Sequence, residues 1–291
     1  MNVLITGGSG FIGRHVEKML LEEGHRVIAF SRSNVHDLTD KKNFQWIAGN
    51  LSTGEGLQKI PWETIECVIH LAAAGVKACK RNWAECIQVN IVGTERLLNV
   101  IKKRATQYPK VFIAKTFYEG AILSNPAFRS NPYVATKEAS SKLTELWSED
   151  YQGDTIFGTI YHTFGPDDDA LSVLSYAARQ FKNNKPAVFS SASALGDWLY
   201  ISDVVTGILA AIKKSNRGIS HWDIGSGNLI AVRDLIEQLQ QISGRNGINA
   251  IFDASLDQPD IALHTAAKNL PPGFQPKFTM RQGLEEHYRL I

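Results

Sequence analysis

The chain has 291 residues, 44% of them hydrophobic and 21% charged, with a formal net charge of +2. That is the composition of an ordinary globular protein, and so small a charge gives no electrostatic reason to expect nucleic acid or an anionic membrane as partner. No apolar run approaches the roughly 18 residues of a membrane span, no signal-like leader is evident, and Cys67, Cys79 and Cys86 fit neither a disulfide framework nor a zinc site, so a reduced, cytoplasmic protein is expected.

In chain order, Val3-Leu4-Ile5-Thr6 reads as a buried strand that breaks into Gly7-Gly8-Ser9-Gly10-Phe11-Ile12-Gly13 and then a helical pattern over about 11–23. Val27–Phe30, Cys67–Leu71, Val111–Ala114 and Thr155–Ile160 read as further buried strands, with helical patterns at about 82–104 and 134–150. This alternation predicts an α/β fold, a doubly wound parallel sheet of Rossmann type with right-handed crossovers. After Ile160 the rhythm loosens. Gly165-Pro166 and Asp167-Asp168-Asp169 precede a helix near 170–183; Ala187–Phe189, 197–214 and His221–Ile224 suggest short elements. Helices near 230–243 and 279–289 flank a loop rich in Pro and Asp. We expect a dinucleotide-binding domain of residues 1–160 plus about 197–225, and a smaller substrate-binding lobe of about 161–196 plus 226–291.

The glycine-rich turn suits a diphosphate. Gly7, Gly10 and Gly13 let the backbone turn sharply and approach a ligand without a Cβ, and the helix opening at Phe11 and Ile12 aims its N–H groups and positive dipole end at phosphate. Which dinucleotide it takes depends on the end of the second strand, where an acid would bind the ribose hydroxyls. Here the strand ends in Ser31-Arg32, and the next acid is Asp37. A solvated Arg in a loop explains Arg32 alone but not the missing acid; an Arg here can pair with a 2′-phosphate, so NADP(H) is expected over NAD(H).

Tyr133 and Lys137 stand four apart in a helical pattern and so share one face. An ammonium near a phenol favours the phenolate, so Lys137 is expected to lower the Tyr133 pKa. Asn131-Pro132 marks the helix start. Asp167-Asp168-Asp169 has no His or partner cluster, and a solvated loop is expected rather than a metal site.

Gly7-x-x-Gly10-x-x-Gly13, His70-Leu71-Ala72-Ala73, Asn90 within Val89-Asn90-Ile91-Val92-Gly93-Thr94, and Tyr133-x-x-x-Lys137 together resemble the extended short-chain dehydrogenase/reductases, in particular the NAD(P)-dependent epimerase/dehydratase group acting on nucleotide sugars. The resemblance continues through Trp198-Leu199-Tyr200-Ile201-Ser202-Asp203-Val204, Asp223-Ile224-Gly225-Ser226-Gly227 and Gln282-Gly283-Leu284, nearly the whole chain. It implies that Tyr133 is the acid/base, that Lys137 holds the nicotinamide ribose, that Thr116 bonds the reacting oxygen, and that Asn90 belongs to the catalytic set. It also implies that Leu71, Ala72 and Ala73 line the cofactor groove and that Asn50-Leu51 lies beside adenine, with Asn where the family has Asp. His162 and Thr163 would lie near the nicotinamide amide, although a lone His at a strand end is as readily explained by packing. A homodimer through the helices at 82–104 and 134–150 is a further implication, though core packing explains the same apolar residues, Ile87, Ile91, Leu98, Leu143 and Leu146.

Several positions depart from the family pattern. Phe117-Tyr118 stands where dehydratases carry Asp-Glu, which disfavours dehydration, although Glu119 is close by. Gly196 stands where relatives carry an Arg for the substrate phosphates. The stretch Ile113–Glu119 looks like that of reductases making dideoxy sugars on a cytidine diphosphate carrier, and the loop from Phe117 to Asn131 is compressed, which bears on the placement of Thr116. The expectation is NADPH-dependent reduction of a keto group on a nucleotide sugar, with a nucleotide-sugar epimerase and a non-catalytic NADPH-binding regulator as alternatives. The sugar, its carrier and the product stereochemistry are not legible in the sequence.

Overall fold

The computed structural model describes residues 1–33, 38, 42–120, 125, 128, 130–214, 218–245, 249–256 and 264–291. Asp37 and much of the Pro- and Asp-rich loop lie outside these. The chain forms two compact units, residues 1–159 with 208–222 and residues 160–207 with 223–291.

The first unit is built around β1 (Asn2–Thr6), β2 (Arg26–Ser31), β3 (Phe44–Ala48), β4 (Cys67–His70), β5 (Lys110–Thr116), β6 (Thr155–Ile160) and β10 (Ile219–Ile224), in the order β10-β6-β5-β4-β1-β2-β3. The pairs β1–β2, β1–β4, β2–β3 and β4–β5 are parallel. Consecutive strands run outward from β1 in both directions, which makes this a doubly wound sheet with its crevice between β1 and β4. Val3, Leu4, Ile5, Val68, Ile69, Val111 and Phe112 are fully buried. Such continuous burial requires helices on both faces, which is why these strands read as unbroken apolar runs. On one face Leu4, Ile28, Val68, Val111 and Ile113 pack with Leu97, Leu98 and Ile101 of the helix α3 (Thr94–Arg104).

α1 (Phe11–Glu22) follows β1, and α4 (Pro132–Glu149) follows β5. The helix expected over 82–104 is three pieces: α2 (Trp83–Cys86), a π-helical stretch Ile87–Gly93, and α3. β3 leaves no apolar run in the sequence. It is an edge strand with partly exposed Phe44, Gln45 and Trp46, so it lacks the apolar run of its neighbours.

The second unit contains β7 (His162–Phe164), α5 (Val173–Lys182), β8 (Ala187–Phe189), β9 (Leu195–Tyr200), β11 (Leu229–Ala231), α7 (Val232–Ser243), β12 (Ala250–Phe252) and α8 (Met280–Leu290); α6 (Ile201–Lys213) begins in this unit. β9 pairs antiparallel with β11 and parallel with β7, while β8 pairs with β12. The acids of this half stitch loops. Buried Asp197 accepts hydrogen bonds from the backbone N–H groups of Ser226, Gly227 and Ala267, and Asp203 accepts from those of Lys277 and Phe278. Asp168 and Asp169 likewise accept from Ser172 and Leu171 in a turn before α5. No helix among the described residues is long and apolar enough to cross a membrane.

Candidate active site

The glycine turn is held open by backbone contacts that no side chain could survive. Gly7 has φ of +78°, and a Cβ there would lie 2.6 Å from the Ala72 nitrogen; a Cβ on Gly13 would lie 2.3 Å from the Gly7 oxygen. The Gly10 N–H donates to the Gly7 oxygen at 3.0 Å. Gly10 is also the N-cap of α1 and has no side chain to cap it, so the first amides of the helix at Phe11, Ile12 and Gly13 keep donors for an external acceptor. Leu71, Ala72 and Ala73 leave β4 at the crevice, with Ala72 against Gly7. This cradle, which any Cβ would fill, fits a dinucleotide diphosphate.

At the end of β2, the Ser31 hydroxyl donates to the Ser33 oxygen and accepts from the Trp46 indole, while the Arg32 side chain is exposed. The Asn50 Oδ1 accepts from the Ser52 amide and hydroxyl, leaving its N–H groups as what it can offer a base. Leu51 is buried and supports the π-helical stretch, since a Cβ on Gly93 would lie 3.1 Å from the Leu51 Cβ.

Three of the four expected catalytic residues meet at one place, the end of β5 and the start of α4. The Asn131 side chain caps α4 by accepting from the Tyr133 and Val134 amides, with Pro132 in the first turn. Tyr133 then faces Thr116, whose side chain acts to lower the phenol pKa against the effect of burial. Lys137, one turn on, donates to the Ala114 oxygen at 2.7 Å. The compressed loop therefore does not keep Thr116 from Tyr133. The electrostatic expectation is corrected, however. Burial pushes the Tyr133 phenol up to about 12, with Glu119 adding to the rise and Thr116 and Arg81 opposing it, so the phenol lies above its ordinary value rather than below it. Burial also lowers the Lys137 pKa, against the pull of Glu119. The phenol is therefore protonated at neutral pH.

Asn90, the fourth, joins a buried polar chain. Its Oδ1 accepts from the Ala74 amide at 2.7 Å, and its Nδ2 donates to the Ala74 oxygen and to the Thr136 hydroxyl. Thr136 lies between Tyr133 and Lys137 and donates to the Pro132 oxygen. In the other direction, the Thr94 hydroxyl donates to the Asn90 oxygen, so it accepts from His70 Nε2, and His70 Nδ1 accepts from the Thr6 hydroxyl at 2.6 Å. Burial depresses His70 to about 3, so the ring is neutral, with its proton on Nε2. The chain Thr6–His70–Thr94–Asn90–Thr136 ties β1 and β4 to the helix that carries Tyr133.

His162 and Thr163 belong to the second unit. The His162 ring stacks on Trp198 at 4.5 Å, and burial depresses it to about 4; the Thr163 hydroxyl donates to the Tyr161 oxygen. This stack also explains Gly196, because a Cβ there would lie 2.7 Å from both His162 Cδ2 and Trp198 Nε1. An Arg cannot occupy that position.

Sequence reasoning missed Gly75 and Ser141. Gly75 has φ of +81°, and a Cβ would lie 2.6 Å from Cys86 Sγ and 3.2 Å from Tyr133 Cβ, so its bareness lets the loop after β4 pass the phenol. Ser141 donates to Glu119. Neither residue stands out in a one-dimensional pattern.

The family model of the NAD dependent epimerase/dehydratase family matches residues 3–225. The chain is 26% identical over 311 aligned positions to a UDP-glucuronate 4-epimerase of Thermodesulfobacterium geofontis, covering 97% of this chain and 93% of the relative. It is 23% identical to a CDP-abequose synthase of Salmonella muenchen, covering 98% and 96%. In fold it is similar to the UDP-glucose 4-epimerase of Thermotoga maritima, with a TM-score of 0.82, 22% identity and coverage of 100% and 98%. The glycine cradle, the Tyr133–Lys137 helix and this match over most of its length establish that the chain belongs to the NAD-dependent epimerase/dehydratase family of extended short-chain dehydrogenase/reductases.

Proposed function

We propose that the protein reduces a keto group on a nucleotide-linked sugar with NADPH. The observation that carries this reading is Tyr133 and Lys137 one turn apart on α4 beside Thr116 at the end of β5, a set able to protonate a reacting oxygen. Relatives named for UDP-, CDP- and dTDP-linked sugars support the substrate class. Arg32, with no acid at the end of β2, supports the 2′-phosphorylated cofactor.

When bound, the dinucleotide supplies the hydride. The chain does the rest. Gly7, Gly10, Phe11, Ile12 and Gly13 would hold the diphosphate, Ala72 and Ala73 would line the groove, and Lys137 would hold the ribose. Tyr133 gives its proton to the oxygen of the substrate ketone as that oxygen gains charge, and Thr116 steadies the same oxygen. Asn90 keeps the helix of Tyr133 in register through Thr136. An epimerase is the second reading, favoured by the name of the UDP-glucuronate relative.

Absorbance at 340 nm separates the two. With a nucleotide-linked 4-ketohexose, a reductase oxidises NADPH in proportion to product and prefers it to NADH. Conversion of a UDP-sugar with no net cofactor oxidation would replace this reading by the epimerase.

We also propose that the protein pairs as a homodimer through residues 82–104 and 134–150, where Trp83, Ile87 and Leu146 are exposed by 47%, 39% and 67%. Leu146→Lys should then convert a dimer to a monomer in sedimentation velocity; a wild-type monomer would dismiss the pairing.

A further inference from the structure

The turn after β5 is closed by a carboxylate that has no role in the scheme above. The Glu119 N–H donates to the Thr116 oxygen at 2.9 Å, and the Thr116 N–H donates back to Glu119 Oε1 at 2.9 Å. The other oxygen, Oε2, accepts from the Ser141 hydroxyl at 2.6 Å and lies 3.5 Å from Lys115 Nζ. The side chain is 5% exposed. Next to it, the Gly120 N–H donates to Glu138 Oε2 at 3.1 Å, a second tie between this turn and α4.

Each carboxylate oxygen already accepts a bond from the chain itself, one from the Thr116 N–H and one from Ser141, so the side chain is directed at this turn and α4. A buried carboxylate is costly to keep, and it persists where its bonds and charge are matched. The matches are specific. Thr116 hangs from one oxygen, and α4 is attached through Ser141, one turn beyond Lys137, to the other. Tyr133 is acted on by Glu119, Arg81 and Tyr118, and Lys137 by Glu119 and Lys115. Lys115 opposes the charge on Lys137, and Glu119 supports it.

We propose that Glu119 is a positioning residue: it fixes the turn that presents the Thr116 hydroxyl to Tyr133 and supplies the negative charge in whose field the Lys137 ammonium and the Tyr133 phenol sit. This rests on the reading of Thr116, Tyr133 and Lys137 as the reacting set. The Thr-Phe-Tyr-Glu order thus replaces an acid aimed at substrate by an acid aimed at the enzyme's own donors.

Two variants separate the bonding role from the charge. Glu119→Ala removes both; Glu119→Gln keeps an acceptor for the Thr116 N–H and a partner for Ser141 but removes the charge. The phenol is followed by NMR of the protein labelled with ¹³Cζ tyrosine, with Tyr133→Phe assigning the signal, and kcat and KM are measured across pH. Glu119→Ala should lose about 10- to 100-fold in kcat, the scale of a misplaced reacting group, with KM little changed. Glu119→Gln should recover most of that loss near neutral pH, yet its Tyr133 signal should titrate at lower pH than in the wild type. A Tyr133 titration unmoved in Glu119→Gln would overturn the electrostatic half of the proposal. Wild-type kcat in Glu119→Ala would overturn the positioning half. Because the phenol titration needs no substrate, it decides the electrostatic half even if the wild type proves inactive on keto sugars; that inactivity would sink the reductase reading, and with it the positioning half, which rests on that reading.

Discussion

Tyr133 shows how far residue identity and environment must be read together. Tyr and Lys at a spacing of four were visible in the sequence, and the helix places them as that spacing implies. What the spacing could not show is that Lys137 reaches back to the Ala114 oxygen while burial and Glu119 dominate the phenol. Removal of the hydroxyl tests the donor role directly. Tyr133→Phe should lower turnover by about 10²–10⁴-fold, the usual worth of general acid catalysis. It should leave the dinucleotide-induced rise in melting temperature intact, since the glycine turn proposed to hold the diphosphate is untouched. Turnover at the wild-type level would remove Tyr133 from the chemistry. The phenol also titrates with the fold. Below its ordinary value near 10 both folded and unfolded forms are protonated, so it contributes no pH dependence there. As pH climbs from 10 toward 12, only the unfolded state releases the proton, and stability is lost.

At the scale of elements, what the sequence made legible follows from how each element is held. β1, β2, β4, β5 and β6 are buried on both faces, and α1 and α4 begin at glycine and Asn-Pro signals, so local pattern and tertiary demand agree. β3 at the edge and the three-residue strands β7, β11 and β12 bury too little to leave a pattern. The π-helical stretch is the instructive miss. Its apolar spacing resembles an α-helix, but Asn90 must face the Ala74 backbone and Thr136 together, and Gly93 must pass Leu51. These constraints are tertiary, and π-bulges commonly mark functional sites for that reason. The glycine cradle is the opposite case, an element written fully into the sequence. Gly13→Ala puts a methyl 2.3 Å from the Gly7 oxygen, a backbone atom, so the turn itself must move. The variant should lose the stabilisation conferred by whichever nicotinamide dinucleotide, NADPH or NADH, the wild type binds in a thermal shift assay, by the disappearance of the ligand-dependent increment and not merely a lower baseline. An undiminished increment would mean that the diphosphate is held elsewhere.

For the whole molecule, the most general consequence of this architecture is acid sensitivity, because histidines are buried neutral in both units. Burial depresses His70 to about 3 in the first unit and His162 and His287 to about 4 in the second. His70 has its hydrogen bonds made, whereas the fully buried His287 ring faces the Gly165 and Leu174 backbone without close bonding geometry and meets Phe164 edge-on. The sign follows from proton binding. Above about 6.5 neither state carries the proton, and the full stability is present. As pH falls from there toward 3–4, the unfolded chain takes up protons that the folded one refuses, and stability drains away. At pH 5 each of His70 and His287 contributes a loss of about 2 kcal/mol, so the pair removes about 4 kcal/mol from a total that for most proteins is about 5–15. Urea unfolding should therefore show a markedly lower midpoint at pH 5 than at pH 7.5, read as a midpoint because two units need not unfold in one step. His287→Leu should narrow that gap, since it removes a titrating group from a site whose neighbours offer it no close hydrogen bond. A gap that His287→Leu leaves unchanged would overturn the depressed, neutral state of that ring inside the fold.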